Sequence, residues 1–237
     1  MDVVILAGGR GQRLAPLTDT RPKPLVDLAG RPVIEYVAQR FVDAGFRRFW
    51  IASGYRHEDL ANHFSPARCR ELGWTVSVVY TGLKTETGGR LRRLRWHLSG
   101  QRFFLTYCDC LADVDPLALL AAHENGRRTV TMTTVQPTLP WGTVRMNEDR
   151  VCTFMEKPRA DFWINGGFFV LEPEILWSLS NDGESLERDV LPRLAAEGRV
   201  TAYPHQSFWH PMNTLDERTA LESLLTSGQL QMPGAGA

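Results

Sequence analysis

The chain has 237 residues, enough to bury a substantial core without disulfide support. Its 27 Lys and Arg residues balance 27 Asp and Glu residues, which argues against a protein that coats nucleic acid or binds a membrane surface through basic residues. No segment approaches the roughly 20 consecutive apolar residues of a transmembrane helix, and the first residues do not resemble a secretory signal. We therefore expect a cytoplasmic protein.

Strand and helix patterns alternate along the first ~135 residues, as in doubly wound sheets. Residues 2–6 predict a buried strand that leads into a glycine-rich loop, and residues 32–45 predict an amphipathic helix. Further strands are predicted at 47–54, 74–82, 103–109 and 129–135, and further helices near 57–64, 89–98 and 117–125. This alternation is typical of a Rossmann-like, doubly wound α/β fold with a mostly parallel sheet.

The pattern changes after Pro137. Strand-like segments at 142–146, 150–156, 164–171 and 200–205 are mixed with helices near 185–197 and 215–225. We expect these segments to extend the sheet into a mixed one and to enclose a pocket. The chain should form one domain over residues 1–227, with halves at 1–135 and 136–227, followed by a flexible tail at 228–237.

The loop after the first strand contains three glycines between positions 8 and 11. Such a loop can present bare N–H groups to phosphate oxygens. Arg13 and Lys23 follow closely, and two cations beside a glycine-rich turn suit a triphosphate better than a neutral ligand. A dinucleotide fingerprint would need glycine where Leu14 stands, and the Gly-Lys-Ser/Thr of a Walker loop is absent. From spacing alone, a plain turn with surface cations remains an alternative.

Several motifs together resemble those of the sugar-1-phosphate nucleotidyltransferases. The glycine loop reads LAGGRGQRL at 6–14 and is followed by RPKP at 21–24. Further matching segments are TGGRL at 87–91, FLTYCD at 104–109, FMEKP at 154–158, INGGFFVL at 164–171 and FWHPMNTL at 208–215. Within that superfamily they are most similar to the glucose-1-phosphate cytidylyltransferases.

The resemblance implies both a fold and a reaction. The fold is that of the nucleotide-diphospho-sugar transferases, a Rossmann-like mixed sheet with a sugar-binding extension. The reaction transfers a nucleotidyl group from a nucleoside triphosphate to a sugar 1-phosphate and releases pyrophosphate, with CTP and glucose 1-phosphate as the expected pair. A homo-oligomer is compatible with this resemblance.

The resemblance also implies roles for individual residues. It assigns Arg13 to the leaving pyrophosphate and Lys23 to the space between the α-phosphate and the sugar phosphate, and it suggests that Arg90 lies near the nucleotide. Mg²⁺ would be held by Asp109 and by Asn213, which stands where the family has aspartate. The nucleotide-binding residues would be Leu6, Ala7, Gly8, Gly9, Gly11, Gln12 and Gly88, and the sugar-phosphate-binding residues Gly142, Glu156, Lys157 and Asn165.

Some departures from the pattern keep the base and the sugar open. Cys108 and Cys110 replace the glycines that flank the strand-end aspartate in the cytidylyltransferases. A guanylyl or thymidylyl transferase acting on another hexose, heptose or octose 1-phosphate is therefore an alternative. A regulatory paralogue that binds a nucleotide sugar without making it is a second alternative, and an NAD-type oxidoreductase is opposed by Leu14.

Overall fold

The computed structural model describes residues 1–98 and 100–230. The strands are β1 (Asp2–Ala7), β2 (Asp27–Leu28), β3 (Arg31–Pro32), β4 (Arg48–Ser53), β5 (Thr75–Tyr80), β6 (Phe103–Tyr107), β7 (Cys110–Ala112), β8 (Val130–Val135), β9 (Thr143–Asn147), β10 (Arg150–Met155), β11 (Ile164–Leu171), β12 (Val200–His205) and β13 (Trp209–Pro211). The α-helices are α1 (Leu17–Thr20), α2 (Val33–Asp43), α3 (His57–His63), α4 (Pro66–Leu72), α5 (Thr87–Leu98), α6 (Pro116–Gly126), α7 (Leu191–Ala196) and α8 (Leu215–Thr226). Short 3₁₀ turns occur at Gln12–Leu14, Lys23–Leu25 and Pro173–Trp177, and a π-helical turn at Leu186–Val190.

Seven strands of the described chain form the central sheet, in the order β12-β8-β11-β6-β1-β4-β5. Strand β1 pairs in parallel with β4 and β6, β4 with β5, and β8 with β12. Strand β11 lies between β6 and β8 and runs antiparallel to both. The predicted Rossmann-like α/β fold with a mixed sheet is therefore confirmed. The second half of the chain extends the sheet as expected, with segment 164–171 inserted between two strands of the first half and 200–205 at the edge.

Alternate residues of the sheet strands pack into two cores, one on each face. In β1, Val3 and Ile5 join the core beneath α2, α3 and α6, while Val4 and Leu6 join the core beneath α5 and α7. Because successive strand side chains point to opposite faces, a short apolar run such as DVVILA can supply both layers.

Helix α2 carries a buried carboxylate that joins three helices. Glu35 is fully buried and accepts hydrogen bonds from Arg31, from His63 of α3 and from Arg68 of α4. Burial by itself would raise the pKa of Glu35, but the hydrogen bonds from His63, Arg68 and Arg31 outweigh it and lower that pKa to about 2. The carboxylate is thus held in its charged form by its donors.

Strands β9 and β10 form an antiparallel hairpin separate from the central sheet. A two-residue turn, Glu148–Asp149, connects them, and Glu148 has a positive φ of 51°. All residues of β10 are exposed. The hairpin follows the loop 137–142 and returns to the sheet through β11.

The C-terminal part of the described chain packs on a third core. Leu221 of α8 is buried there with Leu14 and Met212, and Leu230 packs against the same cluster after the turn that ends α8. Residues 228–230 thus fold back onto the domain, while residues 231–237 of the predicted tail lie outside the described residues. Among the described helices, none is long and apolar enough to cross a membrane.

Candidate active site

A cavity of about 1040 Å³ opens at one edge of the sheet. Strands β1, β6, β8 and β12 end at this edge, and the antiparallel β11 begins there. Ligands of doubly wound sheets bind at the carboxyl ends of parallel strands. Of the residues predicted for the site, the cavity lining includes Leu6, Gly8, Gly9, Gly11, Gln12, Arg13, Lys23, Asp109, Asn165 and Asn213.

The guanidinium group of Arg90 supports the glycine loop from behind. Arg90 is 5% exposed and donates hydrogen bonds to the carbonyl of Gly8, to the carbonyls of Ser53 and Gly82, and to the Thr81 hydroxyl. Burial lowers the pKa of Arg90 from its usual range. A single side chain of α5 thereby ties together the loops that follow β1, β4 and β5.

Two glycines of the loop are needed for specific reasons. A Cβ at Gly8 would lie 2.0 Å from Nη1 of Arg90, so the guanidinium occupies the space that a side chain would need. Gly11 has a φ of 65°, and a Cβ there would lie 2.9 Å from Cβ of Lys23. The loop therefore packs closely on Arg90 on one side and on Lys23 on the other.

Lys23 lies in a cluster of charged and polar groups at the base of the cavity. It is 8% exposed, and its ammonium group is paired with Asp109 and donates to Oδ1 of Asn213 over 3.0 Å. Arg13 donates to the same Asn213 oxygen over 2.9 Å. Two cations therefore converge on one amide oxygen beside a carboxylate, and Lys23 is not a solvated loop lysine.

Local pairing explains why Asn213 lies next to Asp109. Strand β7 follows Asp109 directly and pairs with β13, and the N–H of Met212 donates to the carbonyl of Asp109 over 2.8 Å. The N–H of Asn213 donates to Glu217, which also closes a capping box at the start of α8. The residues around Asn213 are thus fixed by a strand on one side and a helix terminus on the other.

A second network lies beside this cluster and was not predicted from the sequence. The hydroxyl of Tyr107 donates to Oε1 of Glu187 over 2.5 Å and accepts from Nδ2 of Asn165 over 3.2 Å. The other carboxylate oxygen of Glu187 accepts from the hydroxyls of Thr87 and Ser185. Burial and the neighbouring Glu187 carboxylate raise the pKa of Tyr107 well above its usual range, so the phenol is a neutral donor.

The bulge at the start of β11 makes room for this network. The pairing register of β11 with β8 shifts between Asn165 and Phe169. Gly167 has a φ of 85°, and a Cβ there would lie 2.9 Å from the Tyr107 ring. Oδ1 of Asn165 accepts from the N–H of Gly167 over 2.8 Å, so both ends of the Asn165 amide are held. The Asn165 side chain, which we predicted to bind the sugar phosphate, is therefore held in one orientation by the protein itself.

Cys108 and Cys110 line the cavity on either side of Asp109. Both are buried, and burial, with the charge of Asp109 as a second cause, raises the pKa of each thiol well above its usual range. Both thiols are therefore neutral at pH 7. Their side chains occupy space in the cavity that glycines would leave open.

Five of the predicted site residues do not line the cavity. A Cβ at Gly88 would lie 2.8 Å from the carbonyl of Glu184, so this glycine allows segment 184–186 to pack on α5. Ala7 is buried at the end of β1. The other three residues, Gly142, Glu156 and Lys157, lie at the base of the β9–β10 hairpin.

The base of the hairpin adjoins the cavity wall. Thr138 and Pro140 line the cavity. The N–H of Leu139, between them, donates to the carbonyl of Pro158 over 2.9 Å and so ties this loop to the end of the hairpin. Lys157 is exposed and has a φ of 45°, an uncommon conformation for a residue with a side chain.

The arginines that follow Arg90 connect α5 to a neighbouring segment. Arg92 and Arg93 pair with Asp182, and Arg95 lies over the rings of Trp96 and Trp177. They thereby tie α5 to the segment 173–186. Trp209 lines the cavity, and its indole N–H donates to the carbonyl of Gly166.

Together these groups suit a ligand with several phosphates. Arg13 and Lys23 lie beside the glycine loop, and Asp109 and Asn213 add two oxygen ligands of the kind that hard divalent cations prefer. The lining also includes the uncharged Asn165 and the aromatic Trp209. The cavity can thus offer cations to a polyphosphate and uncharged polar and aromatic side chains to a second group.

Comparisons with known proteins agree with this geometry. Residues 2–216 match the family model described as nucleotidyl transferase. A glucose-1-phosphate cytidylyltransferase from Salmonella typhimurium is 34% identical over 250 residues, with 97% of each chain covered. A mannose-1-phosphate guanylyltransferase from Mycobacterium tuberculosis is 31% identical and covers 92% of this chain and 62% of its own. A crystal structure from Bacillus anthracis, assigned as a glucose-1-phosphate thymidylyltransferase, has a TM-score of 0.79 at 17% identity, covering 99% of this chain and 98% of its own.

Proposed function

This chain belongs to the nucleotidyl transferase family, and from that premise we propose that it joins CTP to glucose 1-phosphate and releases pyrophosphate. Its relatives are sugar-1-phosphate nucleotidyltransferases, and the chain is an enzyme of that class. The observation that carries the proposal is the convergence of Arg13, Lys23, Asp109 and Asn213 beside the glycine loop.

The reaction needs little covalent chemistry from the protein. An oxygen of the sugar phosphate forms a bond to the α-phosphorus while the bond from that phosphorus to the bridging oxygen breaks, and pyrophosphate leaves. The attacking phosphate is already an anion at pH 7, so no general base is required. Catalysis consists of bringing two anions together and neutralising the charge that develops.

Lys23 is the residue best suited to stand between the two anions. It is buried beneath the glycine loop, and its ammonium group is the cation nearest to Asp109 in the cluster. In our proposal it contacts the α-phosphate and the sugar phosphate, while Arg13 holds the β- and γ-phosphates that leave. An Arg guanidinium offers several donors in one plane and suits a leaving pyrophosphate.

Asp109 and Asn213 fit a magnesium ion by their donor chemistry. Both side-chain oxygens now accept from the Lys23 ammonium group, so they would be open to an ion once that group turns to the phosphates. Mg²⁺ commonly takes one or two protein oxygens and completes its shell with phosphates and water. A bound ion would neutralise charge on the phosphates. Asn213 supplies no negative charge, so we expect weaker binding of the ion than with two carboxylates.

The sugar phosphate would lie toward the base of the hairpin. We assign Lys157 to the phosphate, and Glu156 and Asn165 to the hydroxyls of the sugar. The positive φ of Lys157 supports this assignment, because strained backbone conformations concentrate at functional sites.

Two observations bear on the base and the sugar. The relative that is 34% identical over nearly its full length is named a glucose-1-phosphate cytidylyltransferase. That name gives the substrate pair that we propose. Cys108 and Cys110 narrow the cavity beside Asp109, and the guanylyltransferase relative at 31% identity supports a second candidate, a guanylyl transferase acting on another sugar 1-phosphate.

A matrix of substrates tests both candidates. Purified protein with Mg²⁺ would be mixed with each of the five common nucleoside triphosphates and with a panel of hexose, heptose and octose 1-phosphates, and pyrophosphate release would be followed. We expect the fastest release with CTP and glucose 1-phosphate. Faster release with GTP and another sugar would replace our first candidate by the second. Absence of turnover with every pair would refute the assignment of the reaction.

A further inference from the structure

Three carboxylates line the cavity in the described part of the chain, those of Asp109, Glu217 and Glu86. Asp109 is paired with Lys23, and Glu217 accepts from two backbone N–H groups at the start of α8. The Glu86 carboxylate pairs with the Arg188 guanidinium over 3.0 Å, and the two side chains are 43% and 67% exposed. Exposed ion pairs contribute little to stability. The Glu86 carboxylate can therefore exchange this partner for a ligand.

Glu86 lies near the start of the glycine loop. It directly precedes α5, and its carbonyl accepts from the N–H of Arg90, one helical turn later. The Arg90 guanidinium in turn donates to the carbonyl of Gly8. Burial lowers the pKa of Arg90, and the charge of Glu86 is the first of the causes that oppose this effect. The Glu86 carboxylate is therefore within electrostatic range of the guanidinium that packs against Gly8.

A nucleotide laid along the glycine loop would have its base at this end. In the reaction proposed above, on which this inference rests, Arg13 and Lys23 hold the phosphates beside Asn213, at the end of the loop. The base is the part of a nucleoside triphosphate farthest from the phosphates that leave. It would then lie toward Gly8 and the segment 85–87, all of which line the cavity.

The bases differ in what they offer to a carboxylate. An ionised carboxylate accepts hydrogen bonds and donates none. Cytosine carries an amino group, which is a donor, at the position where uracil and thymine carry a carbonyl oxygen, which is an acceptor. A carboxylate pairs with the amino group, whereas facing the carbonyl it leaves two acceptors without a donor. A carboxylate at the base therefore favours cytosine over the other two pyrimidines.

We propose that Glu86 determines base specificity, by accepting a hydrogen bond from the exocyclic amino group of cytosine and by disfavouring uracil and thymine at the same position. Guanine, the base of the second candidate, also carries an amino group. The selection thus separates bases that have an amino group from uracil and thymine, and does not separate cytosine from guanine. Arg188 does not line the cavity and takes no part in the selection.

The ratio of kcat/KM for CTP to kcat/KM for UTP, measured with Mg²⁺ and saturating glucose 1-phosphate, tests the proposal. Glu86→Gln keeps the size of the side chain and replaces one carboxylate oxygen by an amide NH₂ group, which can donate to the uracil carbonyl. We expect a ratio of about 100 or more in the wild type and a ratio at least about tenfold lower in Glu86→Gln. Arg188→Gln is the matched control, because it removes the ion pair and keeps the carboxylate. Its ratio should stay within about twofold of the wild-type ratio.

Equal ratios in the wild type and Glu86→Gln would overturn the proposal. So would a wild-type ratio near one, or a change in Arg188→Gln as large as that in Glu86→Gln. Failure of the proposed substrate pair gives a different result. Faster release with GTP than with CTP would replace the pair, while the CTP to UTP ratios of the wild type and Glu86→Gln would still decide the role of Glu86.

Nucleotide binding to the wild-type chain needs neither a variant nor turnover. Calorimetry with Mg²⁺ would compare CTP, UTP and the triphosphate of pyrimidin-2-one riboside, a cytidine analogue that lacks the amino group. We expect CTP to bind about tenfold or more tightly than either of the other two. Equal affinity for CTP and the analogue would contradict the hydrogen bond to Glu86.

Discussion

Removing the hydroxyl of Tyr107 should loosen the sugar side of the cavity. This hydroxyl joins Glu187, on the π-helical turn, to the amide of Asn165 at the start of β11. The substitution Tyr107→Phe keeps the ring against Gly167 and deletes both hydrogen bonds. Asn165 then loses the acceptor that fixes its Nδ2, and one oxygen of Glu187 loses its donor.

The magnitude follows from the charge of the acceptor. Hydrogen bonds to charged groups contribute about 1.5–3 kcal/mol, so the free energy of unfolding should fall by about 2 kcal/mol. With a urea m-value of about 2 kcal/mol/M, the midpoint of unfolding shifts by about 1 M. If about 1 kcal/mol of sugar-phosphate binding depends on the orientation of Asn165, the KM for the sugar phosphate rises about fivefold. The KM for the nucleotide should stay within about twofold.

Urea unfolding and steady-state kinetics with each substrate varied in turn provide the assay. Tyr36→Phe is the matched control, since its hydroxyl donates to the carbonyl of Leu28, away from the cavity. It should lose about 1 kcal/mol of stability and change neither KM. Because burial and the Glu187 carboxylate raise the pKa of Tyr107, the effect of Tyr107→Phe should be the same at about pH 6 and about pH 9.

A double-mutant cycle tests whether Tyr107 and Glu187 are energetically coupled. Glu187→Gln should cost less in the Tyr107→Phe background than in the wild type, with a coupling of about 1–2 kcal/mol. Coupling near zero, together with an unchanged sugar-phosphate KM, would refute the view that this network orients the wall of the cavity.

Four other substitutions probe separate parts of the structure. Lys157→Ala should raise the KM for the sugar phosphate about tenfold or more and the nucleotide KM less; the reverse result would remove our assignment of that residue. Arg90→Lys should cost about 3 kcal/mol of stability, measured by urea unfolding, because a lysine cannot reach all four oxygens around the guanidinium; a loss below about 1 kcal/mol would mean that the loops do not depend on it. Asp109→Asn should weaken binding of Mn²⁺, used as a probe for Mg²⁺ and followed by electron paramagnetic resonance with nucleotide present, by about tenfold or more; unchanged binding would exclude Asp109 as a ligand. The lowered pKa of Glu35 should stabilise the fold by about 3 kcal/mol above about pH 4.5, and this contribution should be lost as the pH falls toward 2; Glu35→Gln should remove that pH dependence, and equal acid slopes for both proteins would contradict it.

The sequence predicted most regular elements because their apolar periodicity is strong. The pattern DVVILA of β1 and the apolar positions of α2 lead to elements within one or two residues of those observed. The short elements were missed, including β7, β13 and the 3₁₀ turn at Lys23–Leu25. Segments of two or three residues carry no periodicity, and they form here because tertiary pairing supports them.

Residues that line the cavity could be predicted where a sequence motif marks them. They could not be predicted where a contact depends on the tertiary fold. The glycine loop, Lys23 and Asp109 could be found because glycine, lysine and a strand-end carboxylate have local signals. Glu187 has none, since an acidic residue in the first turn of a helix is usually a solvated cap. The packing of Gly88 could not be predicted, because its contact is with a segment almost 100 residues away.

The position of β11 has a consequence for how this chain can be divided. The strand separates β6 from β8, so the partners of two strands from the first half come from residues 164–171. A fragment ending near residue 135 would leave both strands with unsatisfied edges in the middle of the sheet. The two halves of the chain are thus interleaved, so neither half can be exchanged between related chains without breaking the pairing of β11.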